Sequence, residues 1–482
     1  MTPIDLGSRR ELLVDDFLID RLDGAELRLQ HPTPAETVMV FDRPWEGSGC
    51  GYVSVFEDEG RFRMYYKAWH LAVSEDGVSG ASDATSLTIC YAESADGIHW
   101  ERPEVGLFEH DGSTANNIIF SGAGSHGFAA FKDPNPDAPA EARYKAFGHG
   151  IHDGTRVVWA HQSADGIHWS RMREEPVLDC CAFDSQNLAF FDEVRGEYRC
   201  YVRDFTGGDL GRGLRGIKTA TSPDFLEWTE PQWLDYPGAP DEQLYTNQVC
   251  AYQRAPQIFV GFPQRYIERG WSPSMRALPD PENREQRARS QERYGTALTD
   301  CLLMTSRDGI SFKRWREAFV RPGIERTGTW AYGDHYLQWQ LLQTKSALPG
   351  APDELSLYAV EDYWLERASL RRYTLRMDGF VALSAPPEGG EMVTKPLTFA
   401  GAALTLNFAT SAAGDVRVEL QDASGAPIEG FTLAECDAVF GDALERAVTW
   451  RDGQSDLSAL AGKPVRMRFV LCDADLSSLK FE

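Results

Sequence analysis

Ser163-Ala164-Asp165-Gly166-Ile167-His168-Trp169 is the stretch from which this chain is best read, because the same pattern returns along most of its length. Its near twin is Ser94-Ala95-Asp96-Gly97-Ile98-His99-Trp100. Weaker copies stand at Ser222-Pro223-Asp224-Phe225-Leu226-Glu227-Trp228 and Ser306-Arg307-Asp308-Gly309-Ile310-Ser311-Phe312, and a degenerate one at Arg376-Met377-Asp378-Gly379-Phe380. The aspartates are spaced by 69, 59, 84 and 70 residues, and in the first four copies an aromatic follows four positions later. One structural unit is being repeated five times.

An alternating β-type stretch, such as 156–160 or 87–91, precedes the clearest copies and has the period of a half-buried strand. The Asp-Gly pair supplies a tight turn: the carboxylate accepts nearby backbone N–H groups and glycine tolerates positive φ. The aromatic is then expected to enter the seam beside the next unit. Trp100, Trp169, Trp228 and Phe312 are therefore read as structural, and Trp169→Ala should cost about 3–5 kcal/mol.

The 482 residues suffice for one large or two ordinary domains. Helical periodicity is scarce, so the class is all-β. A net charge of −25 argues against nucleic acid or an anionic membrane as partner. No apolar run of about 18 residues is present to span a bilayer, and the first ten residues lack a secretory apolar core. A cytoplasmic protein, with homo-oligomerisation left open, is the expectation. Nine cysteines at irregular positions, with Cys180-Cys181 the one close pair, read as reduced, buried side chains rather than a disulfide framework.

In chain order, 12–19 reads as the strand that closes the ring against 373–383. Five hairpin units follow, built on 52–66, 128–147, 188–202, 249–262 and 336–360. An Arg-, Glu- and Pro-rich insertion between Glu268 and Tyr294 carries a helix expected over 281–293, with Asp280 as its cap and Pro281 at its first position; it is either a lid or a solvated excursion. After Ala385-Pro386-Pro387-Glu388-Gly389-Gly390 the strands shorten, which places a five-unit domain at 1–385 and a β-sandwich at 386–482.

Five Ser-x-Asp-Gly-x-x-Trp repeats, inner hairpins and a trailing sandwich resemble the five-bladed β-propeller glycoside hydrolases of families 32, 43, 62 and 68, closest in style to bacterial family 32-like proteins. The resemblance covers the first 385 residues and implies a five-bladed β-propeller followed by a C-terminal β-sandwich. It also implies an axial funnel lined by carboxylates at the starts of inner strands. The family's Arg-Asp-Pro element is echoed by Phe183-Asp184-Ser185-Gln186-Asn187, with Asp184 in place of its aspartate and without the Arg and Pro. Its Glu-Cys pair is loosely matched at Glu242, and its first-blade Asn-Asp-Pro-Asn motif is absent, leaving Glu46 as the nearby carboxylate.

Glycoside hydrolysis needs an acid and a base or nucleophile on opposite sides of the sugar. Asp184 leads the candidates, followed by Glu242, Asp334 and Glu46. Gln186, Asn187, Asn247, Arg203, Arg265, His126 and His149 suit hydroxyl or anion contacts, while Trp69, Tyr245, Trp330 and Tyr332 suit sugar stacking. His152 and His335 also fall at expected funnel positions, Asp133 is assigned to a hairpin turn, and His99 and His168 are assigned to the repeat turns. No paired-histidine zinc spacing occurs, so no cofactor is expected, with an axial calcium as the alternative. The expected activity is exo-acting hydrolysis of a short oligosaccharide or furanoside. Phosphorolysis or transglycosylation, and a catalytically silent glycan-binding propeller, are the alternatives.

Overall fold

The computed structural model describes residues 2–80, 87–208 and 211–482. Five antiparallel sheets form the ring. The first blade runs through Gly51–Asp58, Arg61–Ala68, Thr88–Ser94 and Trp100–Glu101; the second through His126–Lys132, Tyr144–His152, Thr155–Ser163 and Ser170–Arg171. The third uses Leu188–Asp192, Glu197–Phe205, Arg215–Ser222 and Gln232–Trp233, and the fourth Cys250–Tyr252, Ala255–Gly261, Met304–Ser306 and Phe312–Arg314. In the fifth, Tyr336–Leu337 and Leu342–Thr344 both pair with Glu354–Glu361, which pairs with Ser369–Arg376.

The outermost strand of the fifth blade comes from the N-terminus, but it is Thr33–Val40 rather than 12–19. The reason lies in the pairing of the earlier residues: Glu11–Leu12, Ile19–Asp23 and Glu26–Leu29 bond to strands of the C-terminal module instead. That module is built on two long partners, Leu404–Asp422 and Val465–Phe481, whose register breaks between Thr410 and Asp415. The residues before and after the break line one core, with Leu404, Leu406, Phe408, Leu476 and Phe481 meeting Val416, Val418, Leu420, Met467 and Phe469. Leu6, Leu13 and Leu18 complete it. The expected division at 385/386 thus falls within a sheet that also takes strands from the N-terminal 29 residues. Among the described residues no helix is long and apolar enough to cross a membrane.

The repeat turn has the chemistry its sequence implies. Asp165 Oδ1 accepts the N–H groups of Ile167 (2.8 Å) and His168 (2.9 Å), Ser163 Oγ accepts that of Gly166 (2.8 Å), and Gly166 has φ +79°. Partial burial works to raise the Asp165 pKa, but these N–H groups and the His168 ring together hold it below the usual carboxylate range. His99 and His168 each lie within 2.8 Å of their own turn aspartate and serve the turn.

The aromatics dock on the preceding blade, not the next one. Trp169 meets Phe128 of its own blade at 5.1 Å and Tyr65 of the first blade at 5.9 Å, and the Tyr65 hydroxyl donates to Gly166 O (3.0 Å). Trp100 likewise meets Tyr358 of the fifth blade, Trp228 meets Phe147 of the second, and Phe312 meets Tyr201 of the third. The turn carbonyl and the ring that follows it point the same way, so each unit keys into the one before it. Because Trp169 is only half-buried, the expected loss for Trp169→Ala moves to about 3 kcal/mol, the low end of large aromatic truncations. Urea unfolding at a fixed temperature measures it, and an unchanged midpoint would remove this ring from the seam.

Glutamines seal the ring axis. Gln248 Nε2 donates to Gln186 Oε1 (2.8 Å) and Leu337 O (3.0 Å), Gln186 Nε2 donates to Val53 O (3.3 Å), and Val53 N donates to Gln338 Oε1 (2.7 Å). Blades one, three, four and five are thereby tied together by amides that are themselves buried.

The 268–294 insertion is packed rather than solvated. Helices Pro273–Ala277, Pro281–Ser290 and Glu292–Thr296 replace the single expected helix over 281–293, which is broken at Gln291, where the backbone is extended. Asp280 makes no side-chain cap; its carboxylate accepts Gly328 N (2.6 Å) instead. Arg284 and Arg287, both buried, donate to Thr329 O (3.1 Å) and Tyr363 O (2.7 Å).

Candidate active site

Inner strands begin with bulges that turn side chains toward the axis. Tyr52 (φ +50°), Gln248 (φ +46°) and His335 (φ +60°) hold left-handed backbone at three of these starts, and Gly127 (φ +65°) does so at a fourth. The register shifts between Gly51 and Ser54 and between His126 and Ala129. Strained non-glycine backbone of this kind costs about 1–3 kcal/mol per residue and persists where the surroundings over-determine it. A β-carbon on Gly127 would stand 2.4 Å from Ser185 O, so only glycine lets the second blade approach the third this closely.

That approach brings His126, His149 and Asp184 together. One donor atom from each lies within 4.8 Å of the other two. His126 Nδ1 and His149 Nδ1 are 2.8 Å apart, and His126 Nε2 is 3.8 Å from Asp184 Oδ1. Arg203 Nη2 stands 3.7 Å from Asp184 Oδ2 and is buried without a hydrogen-bond acceptor, while its Nε donates to Ala182 O (3.0 Å). Asp184 keeps 38% of its side-chain surface exposed, so this carboxylate opens outward. Burial pushes the His149 pKa down to about 4 and that of His126 well below the imidazole range, with each also facing nearby cations. Both shifts favour the neutral ring.

Around this cluster stand aromatic rings and one lysine. Tyr52 and Trp69 meet His126 edge-on at 5.6 and 6.4 Å, and Lys67 Nζ lies over both rings at 4.4 and 4.7 Å. Burial lowers the Lys67 pKa to about 8, opposed by the charge of Asp184 and by Cys50. Beneath, a cavity of about 30 Å³, room for one water, is lined by Tyr52, Lys67, Tyr245, Tyr332, Tyr336 and Tyr363 among others. The hydroxyls of Tyr245 and Tyr332 are 3.0 Å apart. Burial raises the pKa values of Tyr52, Tyr332 and Tyr336 well above the free phenol, so these groups stay protonated donors. Tyr294 of the insertion closes on Tyr332 (5.3 Å) and Trp364 (4.9 Å), which makes the insertion part of the wall of the site.

Three of the four candidate carboxylates are elsewhere engaged. Glu46 is fully buried and accepts from Arg102 Nε (2.7 Å), Arg102 Nη2 (3.1 Å), Tyr66 OH (2.6 Å) and Arg43 N (3.0 Å), which leaves it no capacity for substrate. Glu242 is clamped by Arg265 (3.2 Å) and Arg314, and Arg265 also pairs with Asp300. Asp334 is 1% exposed, with Oδ2 2.6 Å from His335 Nδ1 and Oδ1 accepting Asp362 N (3.2 Å). Burial alone would lower the His335 pKa, but Asp334 and then Glu361 raise it above the ordinary value. None of the three contacts Asp184 or its histidines, and each is held in an ion pair instead.

The remaining candidates divide the same way. His126, His149, Trp69 and Arg203 gather at Asp184, and Tyr245 and Tyr332 line the wall. Gln186 belongs to the axial amide seal. Asn187 binds Phe183 O (2.7 Å) and the N–H of Arg203 (3.1 Å), and Asn247 binds Tyr201 O (3.3 Å) and the N–H of Val249 (3.2 Å), so both are turn braces. Trp330 and Arg265 share a separate surface groove with Arg269 and Asp300. His152 is exposed, and Asp133 holds its hairpin as expected, accepting Asn135 N (3.0 Å) and Tyr198 OH (2.7 Å). Cys180 and Cys181 have their sulfurs 3.7 Å apart, reduced as expected, but the first is exposed and the second half-buried. Lys67, Tyr52, Tyr336 and Tyr363 escaped the sequence reading. A lysine inside the apolar run Met64-Tyr65-Tyr66-Lys67-Ala68-Trp69 was the available signal.

Solved structures of similar shape include an N-acetylgalactosamine deacetylase from F. plautii in complex with blood group B trisaccharide, at 13% identity over 71% of this chain and 94% of that one, with a TM-score of 0.43. A family 32 β-fructofuranosidase of Bombyx mori aligns over 94% of both chains at 11% identity and a TM-score of 0.39. A fructofuranosidase of Schwanniomyces occidentalis, complexed with fructosylnystose, aligns over 99% of both at 11% identity and a TM-score of 0.37. No protein-family profile and no curated protein matches the sequence.

Proposed function

We propose that the chain is a glycan-directed hydrolase of glycoside hydrolase type, working at the axial mouth where Asp184 opens between His126 and Arg203. The observation that carries this reading is the isolation of one exposed carboxylate among fixed donors and aromatic faces, with strained backbone holding the surrounding inner-strand starts. A sugar presents hydroxyl groups to donors and a flat C–H face to rings, and Trp69, Tyr52 and the tyrosine wall offer both. Asp184 would activate the attacking water. The departing alcohol needs a proton from a group with a pKa near the working pH, and Lys67 meets that requirement. The expected pair of carboxylates is therefore replaced by one carboxylate and a set of nitrogen and phenol donors.

Of Arg265, Arg269 and Arg276, the arginines that would suit phosphate as acceptor, Arg265 is engaged by Asp300 and Arg276 by Glu285 (3.2 Å), while Arg269 lies with Arg265 in the separate surface groove. Water is accordingly the acceptor in this proposal. A panel of short oligosaccharides and aryl glycosides, including furanosides, with monosaccharide release followed chromatographically, tests it. Release from at least one member is expected. Tight sugar binding by calorimetry with no release over long incubation would instead make the protein a glycan-binding propeller.

A further inference from the structure

We propose that His126, His149 and Asp184 form a binding site for a single first-row divalent cation, of the zinc, manganese or cobalt kind, with open coordination positions facing the funnel. The inference rests on the same cluster as the proposed hydrolase and deepens that reading.

The geometry leads there in three steps. First, the three residues come from separate places in the chain, the start of the second blade's inner strand, the next strand of that blade, and the approach to the third, yet one donor atom from each lies within 4.8 Å of the other two. Small side-chain rotations, on the order of an ångström, would bring all three to the ~2.0–2.2 Å of a metal bond. Second, the convergence is built in rather than incidental. His126 and His149 are register partners across the second blade, and Gly127 is the residue whose missing side chain lets the third blade's Ser185 approach. Third, Asp184 makes no hydrogen bond within the usual distance to either histidine or to Arg203, its neighbours standing at 3.7 and 3.8 Å. A carboxylate held near two imidazoles without closing on them leaves room beside it, and the two Nδ1 atoms, 2.8 Å apart, would separate slightly to share one ion.

Two imidazoles and one carboxylate are the ligand set of a borderline first-row ion with exchangeable positions. Calcium and magnesium prefer an all-oxygen shell, so the axial calcium considered from the sequence is the poorer match. Such an ion would also answer the shortage of carboxylates. It lowers the pKa of a bound water and so generates a nucleophile near neutral pH, with no second carboxylate required. Asp184 would then hold the cation rather than take the water's proton itself, and the cation would supply that activation while Lys67 keeps its role toward the departing alcohol.

The test is calorimetric titration of the metal-free protein with zinc chloride, and in parallel with manganese, cobalt and calcium chlorides. A Cys180→Ser/Cys181→Ser background keeps the vicinal thiols from competing. One equivalent of zinc, manganese or cobalt should bind, and binding should weaken about 100-fold or more in His149→Ala and in Asp184→Asn. The second variant alters an exposed group, so the result does not depend on whether the buried histidine variant folds. Failure of all three transition ions to bind, binding that survives both substitutions, or calcium binding more tightly than they do would each overturn the site. Activity on the glycoside panel is scored separately. Metal binding without turnover would remove the hydrolase reading and leave the site standing, and turnover insensitive to chelators would do the reverse.

Discussion

Asp378→Asn is expected to lower the stability of the protein by about 3 kcal/mol, the low end for removing one charge of a buried ion pair, because Glu445 stays beside both Arg10 (2.6 Å) and Arg254 (3.1 Å). Asp378 is the aspartate of the degenerate fifth repeat, and its side chain is fully buried. It accepts from Tyr252 OH (2.7 Å), Asn407 Nδ2 (3.1 Å) and Ser478 Oγ (2.8 Å), and stands 3.0 Å from Arg254 Nε and 3.3 Å from Arg10 Nη1. Tyr252 and Arg254 belong to the fourth blade, while Asn407, Ser478 and Arg10 belong to the sandwich. The four earlier aspartates hold only their own turns; this one ties the propeller to the module behind it. Asparagine is the substitution of choice because Asp378 has φ +62°, which asparagine tolerates and alanine does not. The loss then reports the charge rather than backbone strain. Urea unfolding followed by tryptophan fluorescence measures it; a loss under about 1 kcal/mol would show that the junction does not depend on this carboxylate. Separate unfolding transitions for ring and sandwich are expected to emerge in the variant.

The fate of that fifth repeat shows what the sequence could and could not convey. Period, turn chemistry and strand alternation are local properties, and they located the hairpin cores of all five blades. The Ser-x-Asp-Gly turns then folded as their residue types require. Closure of the ring is a long-range choice between N-terminal segments of similar character. The 12–19 and 33–40 stretches both carry clustered apolar residues, and the sandwich's demand for Leu6, Leu13 and Leu18 in its core leaves the second to reach the fifth blade. The direction in which an aromatic leaves its turn is a matter of three-dimensional handedness, and the linear pattern carried no sign of it.

The site divides along the same line. Asp184 was legible because it precedes an inner strand, His126 because it opens one, and His149 because it lies near the end of the strand that follows. Glu46, Glu242 and Asp334 occupy equivalent-looking positions in the sequence, but Glu46 and Glu242 have arginines brought to them by distant parts of the chain, and Asp334 is buried against His335 and the N–H of Asp362. Arg102 lies 56 residues from Glu46 and Arg314 lies 72 from Glu242. A carboxylate engaged by donors from elsewhere in the chain and one left open to solvent look alike in a sequence. Lys67 was hidden for the opposite reason, since a lysine in a strand is ordinarily a solvated edge residue, and this one is buried over two rings.

That contrast sets up the second large effect, in which Asp184→Asn should remove about 10²–10⁴-fold of kcat/KM on whichever glycoside the panel identifies, with little change in stability. The two halves of the statement have one cause. Asp184 is 38% exposed and its neighbours, the Arg203 guanidinium and the His126 ring, stand at 3.7 and 3.8 Å, beyond hydrogen-bond reach, so folding draws little from it. A group that the fold does not need, placed at the meeting point of two blades and flanked by neutral imidazoles and a buried arginine, is poised to act on something else. Asparagine preserves its size and hydrogen-bonding reach while removing the charge and the ability to take a proton or hold a cation strongly. Glu46→Gln provides the opposite pattern, since it should destabilise the first blade by several kcal/mol through the unpaired Arg102 yet leave turnover per folded molecule unchanged. Measuring kcat/KM and the urea midpoint for both variants separates chemistry from architecture. Turnover of Asp184→Asn within tenfold of the parent would take Asp184 out of the reaction, and a loss of activity matched by an equal loss of stability would make it one more structural carboxylate.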